Sequence, residues 1–180
     1  MKVYVFLANG FEEVEALAPV DLLRRAGAEV LMLGVNGKTA VGARGIEVVC
    51  DKEIDEIKEI PDCVILPGGN PGYINLSKSE KVKEITMAAF GEEKIIAAIC
   101  AAPTVLSSYG IISGKAACVY PGMEKELNCA RVSFDNVCRD GNVITSRGMG
   151  TATEFALEIV RALFGAEKAA ILAKQVVFGE

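Results

Sequence analysis

The chain has 180 residues, of which 51% are hydrophobic and 24% are charged, so it has the length and composition of one globular domain spanning residues 1–180. Its 19 basic and 24 acidic residues give a net charge of −5, which argues against strong nucleic-acid binding because that function needs a basic surface. It contains no histidine, which excludes a Ser-His-Asp triad, a Cys-His dyad and a His-ligated metal supplied by this chain alone.

Five continuous apolar runs predict the strands of a sheet. Unbroken runs, as opposed to alternating ones, are typical of parallel strands that are buried on both faces. The runs cover residues 3–8, 29–35, 62–69, 94–100 and 142–146. Helical patterns lie between and after them, so the order predicts a doubly wound, mostly parallel α/β sheet sandwiched by helices.

Two helices are predicted between the strands. Residues 12–26 form the first, with Pro19 either starting or kinking its second half. Residues 80–90 form the second, because their apolar residues fall on one face. Ser77 and Glu80 have the spacing of a capping box at its start.

The clearest helical pattern covers residues 152–164. Its apolar residues follow helical spacing throughout, Thr151 and Glu154 have the spacing of a capping box, and Gly165 ends it. The sequence therefore predicts a long amphipathic helix after the last strand.

Two dipeptides interrupt this alternation. Asn36-Gly37 and Asp140-Gly141 are both typical of tight hairpin turns. Each therefore predicts two adjacent antiparallel strands.

The apolar runs are also too short for a secretory or membrane segment. The run at residues 3–8 is too short for a signal-peptide core, and the run at residues 95–106 is interrupted by Pro103. We therefore expect a cytoplasmic protein with no membrane association, whose six cysteines stay reduced. Without histidine or a CxxC pair, neither a metal nor a cofactor is expected.

Functional residues of a doubly wound sheet lie where strands end and helices begin. The predicted elements place four loops at that edge: residues 9–13, 67–73, 100–103 and 147–151. We expect the functional residues to come from these loops.

Cys100 lies at one of these strand-to-helix junctions. Such a sharp turn requires small neighbours, and here the neighbours are Ala97, Ala98, Ala101 and Ala102. A helix start also favours a thiolate, so the position predicts a nucleophile with a depressed pKa. The alternative is a small buried hydrophobic residue. That is our interpretation of the other five cysteines, Cys50, Cys63, Cys118, Cys129 and Cys138.

Two glycine-rich loops lie at the same edge. PGGNPG, residues 67–72, could present backbone N–H groups to a ligand or could be an ordinary strand-exit turn. RGMG, residues 147–150, could be an anion-binding helix start beside Arg147 or a packing turn.

Three glutamates begin the first helix: Glu12, Glu13 and Glu15. Acidic residues there ordinarily interact with the helix dipole and with solvent. Glu15 differs because apolar residues flank it, which favours an orientation toward the sheet edge. Beside a Cys100 thiolate, burial and like charge would keep this carboxyl protonated, as both a hydrogen-bond donor and a general acid.

Four segments resemble the ThiJ/PfpI superfamily, and within it the branch of the Parkinsonism-associated protein DJ-one and bacterial YajL. They are residues 9–27, 64–85, 95–106 and 144–163, and they occur in family order along nearly the whole chain. The resemblance implies a flavodoxin-like α/β sandwich and a homodimer.

The resemblance also implies roles for individual residues. Cys100 matches the family's nucleophilic, oxidisable cysteine, and Glu15 matches the carboxyl that touches it. Gly69 and Ala101 match the backbone N–H donors at the oxyanion position. The residues that match the substrate pocket are Arg44, Tyr120 and Arg147, with Tyr120 standing where some members have a histidine.

The departures from the family restrict the function. Ala101 stands where peptidase-like members have a histidine, and amidotransferases also need one, so both activities are disfavoured. We expect a slow glyoxalase or deglycase acting on α-oxoaldehydes such as methylglyoxal and glyoxal, or on their early adducts. Cys100 would form a hemithioacetal and Glu15 would shuttle the proton. The alternative is a redox-sensing stress-response protein or chaperone that works through Cys100 oxidation.

Overall fold

A seven-stranded sheet forms the centre of the computed structural model, which describes residues 1–179. The strands in chain order are β1 (Lys2–Leu7), β2 (Glu29–Gly34), β3 (Thr39–Val41), β4 (Glu47–Val49), β5 (Lys52–Glu53), β6 (Cys63–Leu66), β7 (Ile95–Ile99), β8 (Ala116–Ala117), β9 (Arg131–Val132), β10 (Val137–Asp140) and β11 (Val143–Ser146). The helices are α1 (Glu13–Ala26), α2 (Gly72–Lys78), α3 (Glu80–Gly91), α4 (Pro103–Ser108), α5 (Ala152–Phe164) and α6 (Ala166–Gln175).

The sheet is parallel except at one edge. Its strand order is β10-β11-β7-β6-β1-β2-β5, and only β10 runs antiparallel to its neighbour. Two further pairs, β3–β4 and β8–β9, stand apart from this sheet. All five strands predicted from apolar runs belong to the sheet, so the predicted α/β fold is confirmed.

Apolar cores on both faces of the sheet explain the unbroken runs. In β1, Val3 and Val5 pack toward α1, α5 and α6, whereas Tyr4 and Phe6 pack toward α2, α3 and α4. All four side chains are at most 1% exposed. A strand covered on both sides has no polar face, so its sequence does not alternate.

The first helix runs without interruption through Pro19. Pro19 is a buried residue in the interior of α1, so the alternative in which it starts a second helix is wrong. The helix ends at Gly27, whose φ of 95° suits glycine.

The predicted capping box of the second helix is also wrong. Ser79 caps α3 by accepting a hydrogen bond from the Val82 N–H at 3.3 Å. Ser77 belongs to α2, a helix that the sequence reading missed, and its hydroxyl donates to the Ile74 carbonyl at 2.8 Å.

Thr151 likewise does not cap the long helix α5. Its hydroxyl donates to the Gly148 carbonyl at 2.8 Å and bonds the Ser146 hydroxyl at 2.6 Å. A single 3-10 turn, Met149–Thr151, precedes α5 and redirects this side chain. The predicted end at Gly165 is confirmed.

One of the two predicted hairpins forms. Asp140-Gly141 begins the turn between antiparallel β10 and β11, and Gly141 has a φ of 62°. Asn36-Gly37 instead connects β2, which pairs with β1 and β5, to β3, which pairs with β4. The hairpin prediction there is wrong because the chain leaves the main sheet at that turn. No helix within residues 1–179 is long and apolar enough to cross a membrane.

Candidate active site

Cys100 occupies the sharp turn between β7 and α4. Its φ is 64°, a left-handed conformation that is strained for a residue with a Cβ. Two hydrogen bonds hold this backbone: the Cys100 N–H donates to the Ser146 carbonyl at 2.9 Å, and the Tyr120 N–H donates to the Cys100 carbonyl at 2.8 Å. The strained turn is therefore anchored to β11 on one side and to the segment after β8 on the other.

A cavity of about 810 Å³ opens at this edge of the sheet. All seven residues predicted for the site line it: Glu15, Arg44, Gly69, Cys100, Ala101, Tyr120 and Arg147. The four loops predicted at the carboxyl edge all contribute to it. Asn136 and Met123 also line the cavity, but the sequence does not predict them as site residues. Their local sequence patterns indicate no function, because only the fold brings these remote segments to the cavity.

Glu15 lies against Cys100 at the base of the cavity. Glu15 is 1% exposed, and its carboxyl lies close enough to the Cys100 thiol for the two groups to shift each other's pKa. The Gly68 N–H donates to Glu15 Oε2 at 3.0 Å. The start of α1 and the loop after β6 thus hold the carboxyl beside the sulfur.

Two backbone N–H groups also face the sulfur. The N–H groups of Gly69 and Ala101 lie close enough to the Cys100 sulfur to lower its pKa. Gly69 has a φ of 91°, which only glycine adopts readily. Two N–H donors that converge on a nucleophile are the arrangement of an oxyanion hole.

The electrostatics of Glu15 agree with the sequence expectation, whereas those of Cys100 depend on the charge of Glu15. Burial raises the pKa of Glu15 to about 7. Burial, followed by the charge of an ionised Glu15, raises the pKa of Cys100 to about 12 and outweighs the two N–H donors. Beside an ionised Glu15 the thiol pKa is thus raised, contrary to the expected depression, and a thiolate requires a neutral Glu15.

Gly68 makes the close approach of Glu15 and Cys100 possible. A Cβ at this position would lie 2.6 Å from the Cys100 Cβ and 2.7 Å from Glu15 Oε2. We expect Gly68→Ala to lower the free energy of unfolding by about 1–3 kcal/mol, as overpacking does, and to displace the carboxyl. Urea unfolding measures the loss.

Gly91→Ala is the matched control for this substitution. A Cβ at Gly91 meets nothing within 4 Å, so the control variant should keep its stability. Parental stability of Gly68→Ala would contradict a steric role for this glycine.

Two arginines line the cavity without an acidic partner. Among residues 1–179, neither Arg44 nor Arg147 has a carboxylate within salt-bridge distance. Arg44 Nη1 donates to the Ala43 carbonyl at 3.4 Å, and Arg147 Nη1 donates to the Phe134 carbonyl at 3.2 Å. Most of their N–H groups are thus left for a ligand.

Tyr120 lines the same wall of the cavity and is 50% exposed. Its ring lies against Gly148, where an added Cβ would come within 3.5 Å of Tyr120 Cδ2. The aromatic side chain therefore lies at the cavity, and its replacement of a histidine found in other members stays a prediction.

The remaining cysteines lie away from this cavity and are unpaired. Burial raises the pKa of each buried thiol, namely Cys50, Cys63, Cys118 and Cys138. Cys129 is only half-buried, so the expectation of full burial is wrong there. Within residues 1–179, no group of three His, Cys, Asp or Glu side chains is arranged to hold a metal ion.

A family model described as the DJ-1/PfpI family matches residues 1–162. The chain belongs to the DJ-1/PfpI family. This membership confirms the resemblance that four collinear segments carry.

Several relatives are similar to this chain over most of its length. A Parkinson disease protein 7 homolog of Danio rerio is 45% identical over 172 residues, which cover 92% of this chain and 91% of that protein. The glutathione-independent glyoxalase DJR-1.2 of Caenorhabditis elegans is 37% identical, with 91% and 88% covered. A deglycase of Pyrococcus abyssi is 33% identical, with 91% and 99% covered.

The structure of oxidised DJ-1 from Toxoplasma gondii has a TM-score of 0.96 against this chain. Its sequence is 35% identical, and 99% of each chain is covered. This DJ-1/PfpI chain therefore shares both the family's sequence segments and the fold of a solved member.

Proposed function

We propose that this protein is a cysteine-dependent glyoxalase or deglycase that acts on α-oxoaldehydes or their early adducts. The observation that carries the proposal is Cys100 in a strained turn, with a buried Glu15 and two N–H donors around its sulfur. Relatives named as a glyoxalase and a deglycase support the same chemistry.

In the reactive form, the Cys100 thiol and the Glu15 carboxyl share one proton and together carry one negative charge. We place this charge on the sulfur. A Glu15 carboxylate has the Gly68 N–H as a donor and is 1% exposed. A Cys100 thiolate has two N–H donors and is only half-buried. Because donors and solvent stabilise an ion, a thiolate beside a protonated Glu15 is favoured.

In the first step, the Cys100 thiolate attacks the aldehyde carbon of methylglyoxal. The C–S bond forms, the carbonyl electron pair moves to oxygen, and the N–H groups of Gly69 and Ala101 stabilise this oxyanion. Glu15 then donates its proton to the oxygen, which gives a neutral hemithioacetal and a Glu15 carboxylate.

In the second step, the hemithioacetal rearranges. The Glu15 carboxylate removes the proton from the former aldehyde carbon and returns it to the neighbouring carbon, while the proton of the hemithioacetal hydroxyl passes to the neighbouring ketone oxygen, so the carbonyl moves to the carbon that carries sulfur. The product is a thioester of lactic acid on Cys100. Water hydrolyses the thioester to lactate and the free thiol, so the net reaction adds one water and needs no cofactor.

The direct test follows lactate formation from methylglyoxal by the purified protein between pH 6 and 9. Turnover supports the proposal, whereas no turnover of methylglyoxal or glyoxal at any of these pH values would refute it and favour the redox alternative.

Tyr120 is expected to orient the substrate without transferring a proton. Burial raises the pKa of Glu15 to about 7, which suits this carboxyl, beside Cys100, to exchange protons at neutral pH. Tyr120→Phe should therefore keep at least about a tenth of the parental rate, a loss of at most about 1.4 kcal/mol in the barrier. A collapse to background with intact Cys100 labelling would instead make Tyr120 the essential acid–base group.

Redox sensing is the second candidate, and one structural observation favours it. The donors that surround Cys100 could also hold the oxygens of a sulfinate, formed when the thiolate reduces two peroxide molecules to water. Aldehyde turnover measured before and after mild peroxide separates the two roles. If oxidation of Cys100 abolishes turnover but creates partner binding or chaperone activity, the result would favour the redox-sensing role.

We also propose that two copies of this chain associate through the β3–β4 hairpin and the start of α1. Val14, Ile46 and Val49 are 45%, 55% and 68% exposed there, an apolar surface that a second copy would bury. Light scattering at micromolar concentration should give twice 19.1 kDa, and Val49→Lys should shift the mass toward 19.1 kDa. A parental mass of 19.1 kDa would contradict the dimer.

The cytoplasmic location stays a prediction.

A further inference from the structure

Glu13 is a buried acid that the proposed reaction does not use. Its side chain is 4% exposed, although it begins the first turn of α1. Its Oε1 accepts hydrogen bonds from the Arg44 N–H at 2.8 Å and from the Ile46 N–H at 3.4 Å. A buried carboxylate is costly unless it is bonded in this way, so its position calls for a role.

The helix directs Glu13 and Glu15 to opposite sides. Residues two positions apart on an α-helix point about 200° away from each other. Glu15 therefore reaches Cys100, whereas Glu13 reaches the loop between β3 and β4. One helix start thus contacts both Cys100 and the loop that carries Arg44.

The loop that Glu13 contacts is not secured by the central sheet. β3 and β4 form a separate two-stranded sheet, and the loop between them carries Ala43 and Arg44 to the cavity wall. Backbone bonds tie only its first half to the loop after β1: the Gly10 N–H donates to Val41 and the Ala43 N–H donates to Phe11, both at 2.7 Å. Beyond Ala43, the bonds to Glu13 hold the loop to the rest of the fold.

Gly42 shows how closely this contact is packed. A Cβ at Gly42 would come within 2.6 Å of the Glu13 Cγ and still closer to its carboxyl group. The loop therefore rests directly on the Glu13 side chain.

We propose that Glu13 is a positioning residue that places Arg44 at the wall of the cavity that contains Cys100. The inference rests on the proposed substrate-binding role of Arg44. Glu13 does not touch the reacting atoms and acts by fixing the backbone on which the guanidinium is carried.

The test compares two alkylating reagents at Cys100. Iodoacetate and iodoacetamide both lose iodide to the thiolate, but only iodoacetate is anionic, so the ratio of their rates reports positive charge near the sulfur. Glu13→Ala should lower this ratio about threefold, because Arg44 moves away. Glu13→Gln keeps a carbonyl acceptor for the two N–H groups and should maintain or raise the ratio, since it removes a negative charge.

Two further variants approach the same contact from the loop. Gly42→Ala should lower the ratio as Glu13→Ala does. Arg44→Ala should lower it as well, and adding Glu13→Ala to Arg44→Ala should lower it no further. Glu167→Ala, which removes an exposed first-turn glutamate of α6, is the matched control and should leave the ratio unchanged.

The outcomes separate this inference from the proposed function. Equal ratios in Glu13→Ala and Glu13→Gln would overturn the positioning role, because charge alone would then explain the effect. Additive effects of Glu13→Ala and Arg44→Ala would overturn it as well. The ratio needs no aldehyde turnover, so failure of the enzyme proposal leaves this test intact. Light scattering and urea unfolding of each variant identify a changed assembly or a lost fold.

Discussion

Cys100→Ser is expected to reduce methylglyoxal turnover to background, a loss of at least about 1,000-fold, or about 4 kcal/mol in the barrier. A serine hydroxyl needs a general base to become a nucleophile, and this chain contains no histidine to supply one. Glu15 does not replace it, because the proposed reactive form keeps this carboxyl protonated, and a protonated carboxyl cannot accept the proton of a serine hydroxyl. Lactate formation under saturating methylglyoxal measures the loss.

Cys129→Ser is the matched control for this prediction. Cys129 is the other half-buried thiol and lies outside the cavity, so its removal should leave turnover at the parental rate. The prediction is contradicted if Cys100→Ser keeps a tenth of the parental activity or more in a preparation free of contaminating glyoxalase. The reaction would then not pass through the sulfur.

Glu15→Gln is expected to slow methylglyoxal turnover by about 100-fold while leaving the thiol titration almost unchanged. Glutamine keeps a hydrogen-bond donor for the sulfur and cannot carry charge, so it imitates the protonated carboxyl. It cannot move a proton between the two carbons of the hemithioacetal, and the rearrangement should stall. Iodoacetamide labelling of Cys100 against pH gives the thiol titration, and lactate formation gives the rate.

The thiol titration also decides where the proton of the pair lies. If Glu15 were ionised in the parent, its charge would raise the pKa of Cys100, and Glu15→Gln would then make the thiol more acidic. Such a change in Glu15→Gln would place the charge on the carboxyl and contradict the thiolate form proposed above. Glu167→Gln, at an exposed glutamate of α6, should alter neither measurement.

Local sequence accounts for the framework of this site. The five apolar runs identified β1, β2, β6, β7 and β11 because strands covered on both faces need apolar residues at every position. The alanines around Cys100 identified the sharp turn because larger side chains would not fit there.

The elements that the sequence reading misplaced depend on contacts that are not local. Asn36-Gly37 has the composition of a hairpin turn, but β2 pairs with β1 and β5 instead of β3. Ser77 has capping-box spacing, but α2 extends through it and leaves Ser79 to cap α3. In both cases tertiary packing overrides a local preference worth only about 1 kcal/mol.

The sequence by itself determined five of the seven strands of the sheet, where its carboxyl edge lies and that Cys100 stands in a sharp turn, because burial and crowding act on neighbouring residues. Only the tertiary structure decided the chemistry of that cysteine. The contact of Glu15 with the sulfur joins residues 85 positions apart, and it couples the two ionisations, because a charge on Glu15 raises the pKa of the Cys100 thiol. The loop between β3 and β4, which carries Arg44, likewise depends on Glu13, which lies 31 positions away in the sequence. The Glu13 carboxylate can hold this loop only after folding has buried the carboxylate beneath it.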